Sequence, residues 1–113
     1  MKRFAKGRAR PAPGMNKTET AYASHLALRK AAGEVAWFAY EGMKLRLAPN
    51  TTYSPDFAVM LADGTLEAHE VKGFWEDDAR VKIKVAAELF PFRFLAVKAK
   101  AKRDGGGWEF EEF

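Results

Sequence analysis

Residues 54–72 read SPDFAVMLADGTLEAHEVK, two apolar runs separated by the turn signal Asp63-Gly64. This pattern predicts a β-hairpin. Asp56 stands at the start of the first predicted strand, and Glu70 and Lys72 stand at the end of the second. Two carboxylates and a lysine on one face of a sheet can bind a divalent metal ion and position water for attack on a phosphate. The hairpin is therefore the candidate functional site.

The length of the hairpin loop determines whether the two acids share a face, because alternate residues of a strand point to opposite faces. A two-residue loop would separate them. A three-residue loop, residues 62–64, places Asp56 directly opposite Glu70 and favours a glycine in the left-handed region at its last position, where Gly64 stands. Opposed like charges are destabilising unless something bridges them, and a metal ion would. We predict the three-residue loop, with His69 on the other face in a structural role.

The composition excludes several classes of protein. A chain of 113 residues with 48% hydrophobic residues is expected to form one globular domain. The absence of cysteine excludes disulfides and thiolate metal sites. No apolar run approaches the roughly 20 residues needed to span a membrane, and no apolar segment follows the basic N-terminus as in a secretory signal. The expected location is the cytoplasm, without membrane association.

Positive charge is concentrated at the N-terminus, where six of the 19 basic residues precede the first acidic one. Residues 1–15 contain prolines and glycines and no periodic pattern, which predicts a disordered basic arm before a domain at 16–113. The arm either binds polyanions or only solubilises the chain. A second basic run lies at residues 98–103. The six N-terminal basic residues are Lys2, Arg3, Lys6, Arg8, Arg10 and Lys17.

The remaining pattern predicts alternating helices and strands. Residues 16–19, Asn-Lys-Thr-Glu, form a capping-box pattern that begins a helix ending near Ala32, before Gly33. Glu19 either caps this helix, faces the sheet, or does both in different states. Acidic residues at 76–78 begin a second helix that Pro91 ends. The predicted strands are Val35–Tyr40, Met43–Leu47, Thr52–Leu61, Leu66–Lys72, Phe92–Lys98 and Trp108–Phe113.

The second helix connects two strands that should be parallel, in a right-handed βαβ crossover. It is apolar on two sides, one of them carrying Val81, Val85 and Leu89. Such a helix fits between the sheet and a partner subunit. The element order predicts a mixed α/β sandwich with the hairpin at its centre.

The combination resembles the PD-(D/E)xK nuclease superfamily. Pro55-Asp56 is similar to its first motif element and Glu70–Lys72 to its second. Residues Met15–Glu19, Tyr53–Phe57 and Glu70–Gly73 further resemble a family of small phage proteins, similar in layout to phage endonuclease I, a Holliday-junction resolvase. The resemblance implies an α/β, restriction-endonuclease-like core of order α-β-β-β-α-β with a mixed central sheet.

The resemblance also implies an activity, that of a Mg²⁺- or Mn²⁺-dependent endodeoxyribonuclease. The implied substrate is a Holliday junction or other branched DNA, cut by a homodimer of phage origin in the cytoplasm of a bacterial host. Asp56 and Glu70 would hold the metal with the backbone carbonyl of Val71, and Glu19 would be a further ligand. Lys72 would orient or help deprotonate the attacking water and offset charge on the phosphate.

Implied DNA contacts are the six N-terminal basic residues together with Arg80 and Lys84 of the second helix. Alternatively, these two residues form a solvated helix edge. Asp56 is alternatively a turn residue, and Glu70 and Lys72 a surface ion pair. The same chemistry also fits a nicking, duplex-cutting or DNA-end-processing nuclease, and the fold fits a catalytically inert nucleic-acid-binding module.

Overall fold

The structure is a computed structural model that describes residues 14–72 and 77–113. Most of the predicted N-terminal arm and Gly73 of the hairpin motif lie outside the described residues. The elements are α1 (Lys17–Ala31), β1 (Val35–Tyr40), β2 (Leu45–Ala48), β3 (Thr51–Tyr53), β4 (Phe57–Leu61), β5 (Leu66–Val71), α2 (Asp77–Leu89), β6 (Arg93–Ala99), a 3₁₀ turn (Lys102–Asp104) and β7 (Trp108–Glu112).

Five strands form one mixed sheet in the order β1-β4-β5-β6-β7. Neighbouring strands are antiparallel except β5 and β6, which are parallel and connected through α2. This confirms the predicted parallel βαβ connection and an α/β fold with a mixed sheet. Because β5 is the middle strand, the β4–β5 hairpin is held from both sides.

The hairpin loop has three residues, as predicted. The Leu61 N–H donates to the Thr65 carbonyl at 2.8 Å and closes the loop. Gly64 has a φ of +90°, in the left-handed region that glycine enters without steric cost. The Asp63 carboxylate accepts a hydrogen bond from the Thr65 N–H at 2.9 Å, an Asx turn that stabilises the reversal.

The strand register follows from this loop. Phe57 pairs with His69 at the last described step of the ladder. One further step along the same register would place Asp56 opposite Glu70, in agreement with the predicted facing of the two acids.

One predicted strand is wrong. Residues 52–61 do not form a continuous strand, because β3 ends at Tyr53 and β4 begins at Phe57. Pro55 lies in the gap; it has no N–H for a ladder and restricts the backbone of the residue before it. β3 instead pairs with β2 in a separate two-stranded sheet, with Asn50 at a φ of 60° in the turn between them.

The two helices cover opposite faces of the main sheet. Tyr22 and Leu26 of α1 pack in a core cluster with Phe57, Val59 and Val97. On the other face, Ile83 and Ala86 of α2 pack with Ala68, Phe94 and the β2–β3 hairpin. Within the described residues, neither helix has the length and apolar content needed to cross a membrane.

Helix α1 begins with the predicted capping box. The Glu19 N–H donates to Asn16 Oδ1 at 2.8 Å, and the Asn16 N–H donates to Glu19 Oε1 at 2.9 Å. The helix ends before Gly33, whose φ is +82°. Both boundaries agree with the sequence pattern.

Helix α2 packs on the sheet with one of its two apolar sides. Ile83 is fully buried, whereas Val81 is 58% and Leu89 is 53% exposed. The second apolar side therefore faces outward in the single chain. The predicted partner subunit would cover this side and stays a prediction.

Candidate functional site

The open end of the hairpin holds two buried carboxylates. Asp56 is 9% exposed and Glu70 is 6% exposed. Asp56 Oδ2 accepts a hydrogen bond from the Val71 N–H at 2.7 Å, and the Asp56 carbonyl accepts one from the Glu41 N–H at 2.7 Å. One hydrogen bond thus holds the carboxylate of Asp56 and the other holds its backbone.

Glu70 has a different donor on each of its oxygens. Oε1 accepts a hydrogen bond from the Tyr53 hydroxyl at 2.7 Å, and Oε2 lies 3.1 Å from the ammonium of Lys72. The predicted neighbourhood of Asp56, Glu70 and Lys72 is therefore present. Glu70 and Lys72 form an ion pair inside the site, not the surface pair that was the alternative interpretation.

Sequence reasoning assigned no role to Tyr53, although this residue contacts Glu70. In one continuous strand, Tyr53 would share the face of Phe57 and point away from Glu70. The break at Pro55 turns β3 onto the face that carries Glu70. The signal in the sequence was the proline itself, because proline in a strand that reads as central argues against continuity.

The pKa of Asp56 is strongly perturbed. Burial and the neighbouring charge of Glu70 raise it to about 8, and the opposing effects of the Val71 N–H and Lys72 are weaker. The protein thus stabilises the protonated form of an acid that is ionised at neutral pH in water. Strongly perturbed groups of this kind concentrate at functional sites.

Lys72 shows that negative charge, and not burial alone, dominates the site. Burial by itself lowers the pKa of a lysine. Here Glu70, with Asp56 and Glu19, outweighs burial and raises the pKa of Lys72 above its ordinary value. Lys72 is therefore a cationic ammonium at neutral pH.

Glu19 lies at the border of this site. Its Oε1 accepts the capping hydrogen bond and lies 3.4 Å from the Tyr40 hydroxyl, and the side chain is buried. Its charge acts on both Asp56 and Lys72. Burial and the charges of the surrounding acids also raise the pKa of Tyr40 to about 12. In this conformation Glu19 is a helix cap that adds negative potential to the site.

The predicted metal site is represented in the structure by two carboxylates and not by a complete set of ligands. Within residues 14–72 and 77–113, no three acidic or histidine side chains converge as a ready metal cluster. Mg²⁺, however, commonly binds one or two carboxylates and fills its other positions with water and substrate phosphate. Asp56 and Glu70 supply the hard oxygen donors and an excess of negative charge that a cation would offset. These two residues fit such an ion, and Glu19 would first have to leave its cap.

Both predicted DNA contacts on α2 interact with Glu111 of β7, Arg80 through hydrogen bonds and Lys84 through its charge. Arg80 donates to both oxygens of Glu111 at 3.2 and 3.0 Å, and its guanidinium lies over the Phe113 ring. Lys84 is exposed. Lys17 is exposed at the start of α1. Lys2, Arg3, Lys6, Arg8 and Arg10 lie outside the described residues.

A further buried acid, Glu67, lies toward the other end of β5 on the opposite face of the sheet. Glu67 contacts His69 Nε2 at 2.9 Å and Arg93 at 2.6 Å, and His69 Nδ1 contacts the Tyr22 hydroxyl at 2.6 Å. Burial raises the pKa of Glu67, but the hydrogen bond and charge of His69 and the charge of Arg93 outweigh it and lower the pKa. This network is electrostatically satisfied, which agrees with the predicted structural role of His69.

Comparisons of this chain with protein-family models, with curated proteins and with solved structures give no match. What the site can do therefore has to be inferred from its own chemistry.

Proposed function

We propose that this protein is a metal-dependent nuclease of the PD-(D/E)xK type that hydrolyses phosphodiester bonds in DNA. The observation that carries the proposal is the opposed pair Asp56 and Glu70, buried beside the cationic Lys72, with the pKa of Asp56 raised to about 8. A structural role would favour acids whose charges are fully compensated. Two opposed acids that share one lysine, with the pKa of Asp56 raised, suit a site that binds a further positive charge.

The residues have separate parts in this proposal. Asp56 and Glu70 would hold Mg²⁺ or Mn²⁺, with the Val71 carbonyl as a further oxygen. The ion would supply a Lewis acid that polarises the phosphate and lowers the pKa of bound water. Lys72, a cation in this site, would orient the attacking water and offset charge on the pentavalent phosphate. Because it already carries its proton, it is not the group that accepts one from water.

In the proposed reaction, the water oxygen bonds to phosphorus and one bridging P–O bond breaks. The leaving oxygen takes up one proton and becomes a hydroxyl, the other strand end becomes a phosphate monoester, and the second proton of the attacking water passes to solvent. The preferred substrate is a Holliday junction or other branched DNA, cut by a homodimer. The exposed apolar side of α2, with Val81 and Leu89, supports the dimer as a surface that a second copy would cover.

The function can be tested with one substrate panel. The full-length protein is incubated with a labelled four-way junction, a linear duplex and a single strand, in Mg²⁺ or in EDTA. We expect junction cleavage in Mg²⁺, none in EDTA, and none by Glu70→Ala. The variant Glu88→Ala, which alters an exposed glutamate of α2, should cleave normally.

The outcomes separate the candidate functions. Failure to cut any substrate in Mg²⁺ would overturn the nuclease proposal and leave a nucleic-acid-binding module. Equal cutting of duplex and junction would contradict the resolvase activity. The remaining candidate would then be a nicking, duplex-cutting or end-processing nuclease. A monomer by light scattering would contradict paired cleavage of a junction.

Tyr53→Phe should weaken metal binding without preventing folding. The change removes the hydroxyl that donates to Glu70 Oε1 at 2.7 Å and orients this carboxylate. Loss of such an outer partner typically lowers metal affinity about 10–100-fold. Titration calorimetry with Mn²⁺ measures the effect. The matched control is Tyr40→Phe, whose hydroxyl lies 3.4 Å from Glu19 and should matter much less. Equal Mn²⁺ affinities in Tyr53→Phe and the wild type would show that Tyr53 does not position Glu70.

A further inference from the structure

The site lies beside a basic segment that the predicted DNA contacts did not include. β5 and β6 are parallel, so their C-terminal ends lie at the same edge of the sheet. The Lys72 N–H donates to the Val97 carbonyl at 2.9 Å, and Lys98 is the next residue. The chain then continues through Lys100 and the 3₁₀ turn. We define the basic edge as Lys98, Lys100, Lys102 and Arg103.

The backbone of the basic edge is well ordered by hydrogen bonds. The Lys100 N–H donates to the Gly107 carbonyl at 2.9 Å, and the Gly106 N–H donates to the Ala101 carbonyl at 3.0 Å. Gly105, Gly106 and Gly107 all have positive φ, which lets the chain reverse tightly into β7. The charges are thus presented from a fixed turn.

The charges of the basic edge are available to a ligand. All four side chains are exposed. Among residues 14–72 and 77–113, none of the four takes part in an ion pair, whereas Arg29, Arg80 and Arg93 each pair with a glutamate. Two acids adjoin the edge, Asp104 in the turn and Glu109, which is opposite Lys98 in β7. The edge therefore keeps an excess of positive charge.

This charge is placed where a phosphodiester substrate needs it. Asp56 and Glu70 repel a polyanion, so the strand has to be attracted by cations beside them. Lys98 and Lys100 are two residues apart, so in extended backbone they lie about 7 Å apart and point to the same side. On α2, by contrast, Arg80 is bound to Glu111.

We propose that the basic edge, and not α2, binds the phosphate backbone of the nucleic acid strand that enters the Asp56–Glu70 site. This inference rests on the proposed function for the site, but the binding it describes is measurable without cleavage. Lysine contacts to phosphate release counterions, so they make affinity depend on salt.

The test is fluorescence polarisation of a labelled DNA duplex in EDTA at several salt concentrations, with the full-length chain. Lys100→Gln/Lys102→Gln should reduce the slope of log affinity against log salt by about 1.8, because each lost phosphate contact removes about 0.9. The control Lys30→Gln/Lys44→Gln removes the same charge from two other exposed lysines, one in α1 and one just before β2, and should leave the slope unchanged. Lys100→Arg/Lys102→Arg should keep the wild-type slope.

The results also separate this inference from the proposed function. An unchanged slope in the Lys100/Lys102 variant, an equal reduction in the control, or no binding by the wild type would overturn the basic edge. If the wild type cleaves DNA but the slope is unchanged in the Lys100/Lys102 variant, the proposed nuclease function is supported and DNA binding by the basic edge is contradicted. If the slope falls as expected in that variant but no substrate is cut in Mg²⁺, DNA binding by the basic edge is supported and the proposed nuclease function is contradicted.

Discussion

At pH 8.5 and without divalent metal, the Asp56→Asn variant should be more stable than the wild type by about 2–5 kcal/mol, because each unit of pKa shift corresponds to about 1.4 kcal/mol. The wild-type fold raises the pKa of Asp56 from 3.8 to about 8, mainly through burial and the charge of Glu70. Ionising this acid therefore costs more in the folded state than in the unfolded state. Asparagine keeps an oxygen that can accept the Val71 N–H and removes the charge.

The sign of this effect fixes its pH dependence. Below pH 3.8 the acid is protonated in both states, and the variant has no advantage. Between pH 3.8 and about 8 the unfolded state ionises while the folded state keeps its proton, so wild-type stability falls as pH rises. Above pH 8 Asp56 is ionised in the folded state as well, and the full free-energy cost of its raised pKa acts on the wild type. Urea unfolding at pH 5 and 8.5 in EDTA measures the difference, which should be larger at pH 8.5.

Asp104→Asn is the control for this measurement, because Asp104 is exposed in the 3₁₀ turn. It should change stability by no more than about 0.5 kcal/mol at either pH. Adding Mg²⁺ should stabilise the wild type, by about 2.7 kcal/mol at a concentration 100 times the dissociation constant. It should not stabilise Asp56→Asn. An asparagine variant that is less stable than the wild type at pH 8.5, or a difference independent of pH, would contradict a strained acid pair.

The hairpin shows how far local sequence rules reach. Gly64, Asp63 and the alternation of apolar residues determine the loop and the register, and through them the facing of Asp56 and Glu70. These features depend on contacts between near neighbours in the chain. The parallel β5–β6 pairing was also predictable, since a helix between two strands favours a crossover.

Features that depend on contacts between distant segments were not predictable in the same way. Tyr53 reaches Glu70 because β2 and β3 leave the main sheet, which no local pattern specified. The pairing of Arg80 with Glu111 needs the start of α2 to come within reach of β7, whereas helical spacing alone gave Arg80 only as a basic residue on the helix surface. The neighbourhood of Lys72 and Lys98 likewise requires the parallel register of β5 and β6. Local pattern thus located the acids, and tertiary packing determined their surroundings.

Glu67 and Asp56 make an informative comparison because both are buried acids, on opposite faces at opposite ends of the hairpin. The fold lowers the pKa of Glu67 and raises that of Asp56. Glu67 has His69 and Arg93 as partners, whereas Asp56 faces another acid. An acid beside cationic partners contributes to stability, whereas an acid forced beside a like charge costs stability unless a ligand supplies positive charge. Substitutions at the two positions should therefore have opposite effects.

Glu67→Gln should destabilise the protein by about 1–3 kcal/mol at pH 7, because it removes the charge of a buried acceptor that is hydrogen-bonded to His69 and to the half-exposed Arg93. Glutamine lacks the charge that holds Arg93 at 2.6 Å and His69 at 2.9 Å. The control Glu112→Gln removes the other partner of Arg93, an exposed carboxylate, and should cost about 0–1 kcal/mol. Urea unfolding of both variants and the wild type measures the difference.

The pH dependence gives an independent check on Glu67. Its pKa is lowered below 4.5 in the folded state, so its contribution is complete above that value and is lost as pH falls through the folded pKa. The cost of Glu67→Gln should thus shrink on acidification. If Glu67→Gln is no more destabilising than Glu112→Gln at pH 7, the network is not structural. The contrast with Asp56 would then no longer distinguish the functional acid from the structural one.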